Sequence, residues 1–71
     1  MQESVIIKRK DGIYEEKLDD KWIAEYSEDV LTGLFQVEIF YRSTSEWVST
    51  DYLSLEDAQN AAHDYYDTRV E

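Results

Sequence analysis

Three carboxylates and one amide recur at helical spacing near the end of the sequence. Within "SLEDAQNAAHDYYDT", residues 54–68, Asp57, Asn60, Asp64 and Asp67 lie three or four positions apart, so they share one stripe of a helix. Carboxylates at this spacing repel one another by about 0.2–0.5 kcal/mol per pair, and a helix does not require them. We call these four residues the acidic stripe. It can bind cationic groups of a partner, or it can serve only to keep a small protein soluble.

The single histidine is the other residue of this segment that could support chemistry. His63 and Asp67 are four positions apart, a spacing that can place two metal ligands on one helix face. No third ligand is indicated, and a helical projection puts His63 on the outward, acidic side rather than in a pocket. A catalytic triad would also depend on His63. We therefore expect no catalytic residue and no metal, and a metal binder or minor enzyme that uses His63 is a third hypothesis.

The composition argues against other kinds of reactive site. The sequence has no Cys, which excludes a thiolate nucleophile and a cysteine zinc site. Gly12 and Gly33 are the only glycines, too few for a phosphate-binding loop. Carboxylates are so numerous that no pair stands out for acid–base catalysis. The sequence predicts a protein that is not an enzyme and needs no cofactor.

Charge is the strongest compositional signal. The 71 residues include 17 acids and 7 bases, for a net charge of −10, and residues 22–71 contain only Arg42 and Arg69 against eleven acids. Such a surface repels nucleic acid and anionic membranes, so we expect no direct contact with either and a basic protein as partner. The apolar run at residues 5–7 is too short for a signal peptide or a membrane span, which predicts a cytoplasmic protein.

Hydrophobic periodicity indicates the elements that must position these residues. It predicts strands in "SVIIKRK", "IYEEKL", "KWIAEYS", "LFQVEIFYR" and "WVSTDYL". The Asp11-Gly12 pair predicts a hairpin turn between the first two strands, and "STSE" predicts a polar turn between the last two. The fourth strand is the clearest, with four apolar residues on one face: Phe35, Val37, Ile39 and Tyr41.

From Ser54 the period changes to that of a helix. Ser54 is a good N-cap, with Asp57 three residues later. One side of the helix is apolar and partly small: Leu55, Ala58, Ala62, Tyr65 and Tyr66. We expect Leu55, Ala58, Ala62 and Tyr65 to pack on Phe35, Val37 and Ile39. The sequence thus predicts one α+β domain over residues 1–71, an antiparallel sheet of four to five strands with one C-terminal helix packed on one face.

The aromatic residues outnumber what a core of this size usually takes. One helix can cover only one face of the sheet, so some rings among Trp22, Phe40, Trp47 and the tyrosines should lie on the open face or at an edge. Tyr and Trp there would be suited to anchor an interface.

Two principal hypotheses of function follow. The first is a small acidic, non-enzymatic protein-binding module, in one form a nucleic-acid-mimicking inhibitor from phage or another mobile element. Its candidate partner-binding residues are Asp57, Asn60, Asp64, Asp67, Glu38 and Trp47. The alternative is a small structural domain that self-associates into a homodimer through its open sheet face, with acids only for solubility.

Overall fold

Five strands and one helix make up the part of the chain that the computed structural model describes, residues 6–70. The elements are β1 (Ile6–Lys8), β2 (Tyr14–Lys17), β3 (Trp22–Glu28), β4 (Phe35–Tyr41), β5 (Thr44–Tyr52) and α1 (Leu55–Val70). The strands form one antiparallel sheet in the order of the sequence, and α1 packs on one face of it. The predicted α+β class, with a sheet and a C-terminal helix, is confirmed, and the number of strands is five.

The β1–β2 hairpin turns where the Asp11-Gly12 pair predicts it. Gly12 has a φ of 87°, in the left-handed region that glycine enters without steric cost. The Asp11 carboxylate accepts a hydrogen bond from the backbone N–H of Ile13 at 3.1 Å. The backbone N–H of Arg9 donates to the backbone carbonyl of Ile13 at 2.8 Å. Ser4 and Val5, which the sequence adds to the first strand, lie outside the described residues.

The β4–β5 turn lies earlier than predicted. The strands reverse at Arg42 and Ser43, with φ of 51° and 71°. Of the predicted turn at residues 43–46, only Ser43 lies in the turn, because Thr44, Ser45 and Glu46 already belong to β5. Two left-handed residues form the turn type whose twist matches that of the flanking strands. The backbone N–H of Arg42 donates a hydrogen bond to the backbone carbonyl of Lys21 at 2.9 Å. This contact with the β2–β3 turn supports the conformation.

Small residues form the contact between the helix and the sheet. The fully buried core consists of Ala24, Tyr26, Val37, Ile39, Ala58 and Ala62, with Phe35, Leu55 and Tyr65 packed around it. The predicted packing of Leu55, Ala58, Ala62 and Tyr65 on Phe35, Val37 and Ile39 is therefore confirmed. Because alanine side chains end at Cβ, the helix axis can lie close to β3 and β4.

The start of α1 is capped as the sequence predicts. The Ser54 hydroxyl accepts a hydrogen bond from the Asp57 N–H at 3.1 Å, and the Ser54 carbonyl accepts one from the Ala58 N–H at 3.2 Å. Glu56 and Asp57 lie in the first turn and Arg69 in the last, as the helix dipole favours. Within residues 6–70, no helix has the length and apolar character needed to cross a membrane.

Replacing Ile39 by Ala should lower the free energy of unfolding by about 2–5 kcal/mol, because its side chain is completely buried under the helix. Leu55→Ala should cost less than Ile39→Ala, since Leu55 is only partly buried. Leu31→Ala is the control: with 91% exposure it should change stability by less than about 0.5 kcal/mol. Urea unfolding measures all three, and an equal loss for Ile39 and Leu31 would contradict the packing.

Candidate functional site

The six residues predicted to bind a partner do not come together. Asp57, Asn60, Asp64 and Asp67 are exposed on α1. Glu38 pairs with Glu25 and Val48, on the sheet face opposite the helix. Trp47 pairs with the buried Ile39, which places it on the helix side. The structure therefore separates one candidate surface into an outer helix stripe, an open sheet face and an aromatic cluster.

The tryptophans pack under the helix rather than on the open face. The Trp47 and Tyr65 rings are stacked, with centroids 4.6 Å apart and planes 10° from parallel. Trp22 lies edge-on to Tyr65 and Tyr66, at 6.5 and 6.1 Å. An aromatic ring was expected on the sheet face that the helix does not cover, and the ring found there is that of Phe40, which is half-buried on β4. Trp47 thus holds the helix to the sheet, and stacking accounts for its position.

A buried carboxylate connects β2, β3 and α1. Glu16 is completely buried; its Oε1 accepts a hydrogen bond from the Tyr26 hydroxyl at 2.6 Å, and its Oε2 lies 2.9 Å from His63 Nε2. Burial raises the pKa of Tyr26 far above its usual range, and the bond to Glu16 raises it further. The prediction that His63 lies on the outward face was wrong. His63 is about 100° around the helix from the buried Ala62, at the flank, from which its ring reaches β2.

This Glu16–Tyr26–His63 cluster has the character of a structural junction. A buried carboxylate is costly unless hydrogen bonds satisfy it, and here both oxygens are engaged. Among residues 6–70 no group of three His, Asp or Glu side chains is arranged to hold a metal ion. The cluster fastens the helix to a strand that its backbone does not approach.

A second polar contact links α1 to the β2–β3 turn. The Tyr66 hydroxyl donates to Asp19 Oδ2 at 2.6 Å, while Asp19 Oδ1 accepts from the Lys21 and Trp22 N–H groups at 2.7 and 2.9 Å. The hydrogen bond with Tyr66 lowers the pKa of Asp19, and the same bond raises the pKa of Tyr66 to about 12. Asp19 therefore shapes its own turn and anchors the second half of the helix.

The sheet face opposite α1, which we call the open face, carries a row of like charges. Residues directly paired across the five strands are, in order, Ile7, Glu15, Glu25, Glu38 and Val48. Three adjacent strands thus place glutamates side by side, and we call Glu15, Glu25 and Glu38 the glutamate row. Cβ atoms of such directly opposite residues lie about 4.5–5.5 Å apart, a distance at which like charges are destabilising.

One internal cation lies against this row. Arg9 Nη1 lies 3.0 Å from Glu25 Oε2 and 3.4 Å from Glu15 Oε1, and Arg9 Nη2 lies 2.8 Å from Asp11 Oδ2. The hydrogen bond with Asp11 raises the pKa of Arg9 and lowers that of Asp11. Arg9 therefore compensates the first two glutamates. Glu38 makes no ion pair within residues 6–70; its Oε2 accepts a hydrogen bond from the Ser45 hydroxyl at 2.6 Å.

Apolar surface adjoins the glutamate row. In the next row Ile23 pairs with Phe40, and both are half-buried with no helix over them. A shallow depression here is lined by Ile23, Glu25, Phe40 and Ser43. The open face thus combines carboxylates with an apolar floor.

Most of the residues that lie together in this geometry are not indicated by the sequence pattern. Of the glutamate row, only Glu38 is a candidate binding residue from the sequence, and neither Arg9 nor Glu16 is among the candidates. The alternation in "IYEEKL" places Glu16 on the face of Tyr14, which is a signal for its burial. The pairing of Glu15, Glu25 and Glu38 has no such signal, because it depends on the register of three strands.

Glu16→Leu should destabilise the fold by about 1–3 kcal/mol, because it leaves the buried Tyr26 hydroxyl without its acceptor. The double variant Glu16→Leu with Tyr26→Phe should be more stable than Glu16→Leu alone, since both polar partners are then absent. Chemical denaturation of the parent, of the single variants Glu16→Leu and Tyr26→Phe, and of the double variant gives the coupling. Losses that simply add would show that the bond contributes nothing.

Tyr66→Phe should reduce the alkaline pH dependence of stability. The pKa of Tyr66 is about 12 in the folded chain against an ordinary 10, so its contribution is present below pH 10 and is lost as the pH rises to 12. The stability difference between the parent and Tyr66→Phe should therefore shrink over that interval in urea titrations. Tyr41→Phe controls for the loss of a tyrosine hydroxyl, and a constant difference would contradict the role of Asp19.

Models of protein families, curated protein sequences and solved structures all give no significant match to this chain.

Proposed function

We propose that this chain is a small acidic, non-enzymatic protein-binding module whose open face receives a basic protein. The glutamate row carries the proposal. Glu15, Glu25 and Glu38 are directly opposite one another on adjacent strands, and Arg9 alone pairs with them in the described part of the chain. Repulsion within the row is a cost to the fold that Arg9 offsets only for Glu15 and Glu25, and neutral polar side chains on an uncovered sheet face would avoid it.

A cationic partner would relieve this repulsion. Lys and Arg side chains of a basic surface would bring positive charge to the carboxylates, while Phe40 and Ile23 supply apolar contact beside them. Charge complementarity of this kind speeds encounter and selects the partner. The net charge of −10 extends the attraction beyond the contact area.

An inhibitor that mimics nucleic acid is the specific form of this proposal. A protein that binds nucleic acid presents cationic groups to closely spaced negative charges. The glutamate row offers carboxylates at the spacing of adjacent strands, about 4.8 Å. Such an inhibitor, of the kind encoded by phage or another mobile element, would occupy the basic surface of its target.

The open face favours a basic partner over a second copy of the chain. Stacking two such faces would bring two glutamate rows together, and like charges brought together at an interface cost several kcal/mol. The tryptophans that could have driven association lie under the helix. Dimerisation remains the alternative function, and sedimentation over a wide range of protein concentration tests it directly.

The triple variant Glu15→Gln, Glu25→Gln and Glu38→Gln should bind a basic partner more weakly and with less salt dependence, while remaining folded. The matched control is Asp57→Asn, Asp64→Asn and Asp67→Asn on the acidic stripe. Each triple removes three charges, from −10 to −7, so long-range attraction changes equally in both. Only the position of the lost charges differs.

The experiment begins with proteins retained at low salt from an extract of the cells that make this chain. A retained protein is purified, and its affinity for the parent and both triples is measured at several ionic strengths. The proposal predicts a basic protein whose affinity falls further with the triple variant of the glutamate row than with the triple variant of the acidic stripe. Equal losses of affinity in the two triple variants would show only general charge attraction. A larger loss in the variant of the acidic stripe would assign binding to that stripe.

A further inference from the structure

We propose that the open face holds a receptor site for one arginine side chain of the partner, between Glu25 and Glu38 and over the Phe40 ring. This inference rests on the proposed function and specifies the group that is bound. The site is formed by β3 and β4, where Glu25 pairs with Glu38 and Ile23 pairs with Phe40 in the adjacent row.

The chain itself contains one guanidinium group that bridges two glutamates of the row. Arg9 Nη1 lies 3.0 Å from Glu25 Oε2 and 3.4 Å from Glu15 Oε1. Arg9 therefore bridges the first interval of the glutamate row, the one between Glu15 and Glu25. The second interval, between Glu25 and Glu38, has the same pairing of carboxylates on neighbouring strands. Within residues 6–70, no cation pairs with Glu38.

A depression suited to a long cationic side chain adjoins the second interval at Glu25, on the side of Ile23 and Phe40. Ile23, Phe40 and Ser43 line this depression together with Glu25. An arginine carries three methylene groups that can lie on Ile23, and its planar guanidinium can stack on the Phe40 ring. The Glu25 and Glu38 carboxylates then accept hydrogen bonds from the guanidinium fork.

This geometry favours arginine over lysine. Two carboxylates on neighbouring strands are best bridged by a planar group with several fixed donors, whereas an ammonium group is a single strongly hydrated point charge. The Ser45 hydroxyl donates to Glu38 Oε2 at 2.6 Å, which holds that carboxylate in place on the open face. The second carboxylate oxygen, Oε1, is available for the incoming guanidinium.

Amide NMR titration with a single blocked amino acid, N-acetyl-arginine amide, tests the site without the unknown partner. The blocked citrulline is the matched probe, because it has the same shape without the charge, and the blocked lysine compares the two cations. Shifts on arginine addition should saturate and concentrate at Ile23, Glu25, Glu38, Phe40 and Ser43. Citrulline should give no such pattern, and lysine should bind more weakly.

Two variants separate this site from general attraction. Glu38→Gln should lower the arginine affinity about two- to fivefold, the range for one exposed ion pair. Asp64→Asn removes the same charge from the helix and should leave the affinity unchanged. Arginine shifts spread evenly over all acidic residues, or an equal response to citrulline, would overturn the site.

The outcomes for the site and for the proposed function are distinguishable. Localised arginine binding without any basic protein partner would retain the site and remove the function. A basic protein that binds through the glutamate row, combined with no localised arginine shifts, would retain the function and overturn the site.

Discussion

A single helix has to cover one face of a sheet five strands wide, and most features of this chain follow from that mismatch. A helix with its side chains is about 10–12 Å across, whereas five strands spaced about 4.8 Å apart span about 19 Å between the outer axes. The backbone of α1 approaches β3, β4 and β5 and does not approach β2. Long polar side chains extend its reach, with His63 bonded to Glu16 and Tyr66 bonded to Asp19.

The helix side of the sheet combines close contact with bulky filling. Ala24, Ala58 and Ala62 are completely buried where the helix crosses the central strands, so the two layers meet closely. Toward the second half of α1, the Trp47 and Tyr65 rings stack. Arg69 lies over Tyr65, 5.0 Å from the ring centroid, so even one of the few bases contributes to packing. The aromatic excess of the sequence is mostly used here, and Phe40 is the ring left on the open face.

Acidic side chains have two different roles in this chain, and their partners distinguish them. Glu16 and Asp19 accept hydrogen bonds from protein donors and connect elements that are far apart in sequence. Glu15, Glu25 and Glu38 stand in register on an uncovered face, where Arg9 offsets part of their repulsion. Glutamates of the second kind add no packing, and this is why we relate them to binding rather than to stability.

Local features of the sequence determined the elements, and the tertiary structure decided which residues meet. The Asp11-Gly12 turn, the Ser54 cap and the alternation of Phe35, Val37 and Ile39 are encoded by near neighbours, so they could be predicted. The turn at Arg42 and Ser43 could not, because both residues adopt a left-handed conformation supported by sheet twist and by the Lys21 carbonyl. His63 meets Glu16 across 47 positions, and the glutamate row requires the registers of three strands at once. Strand register and helix placement arise from the packing of the whole chain, and no short stretch of sequence specifies them.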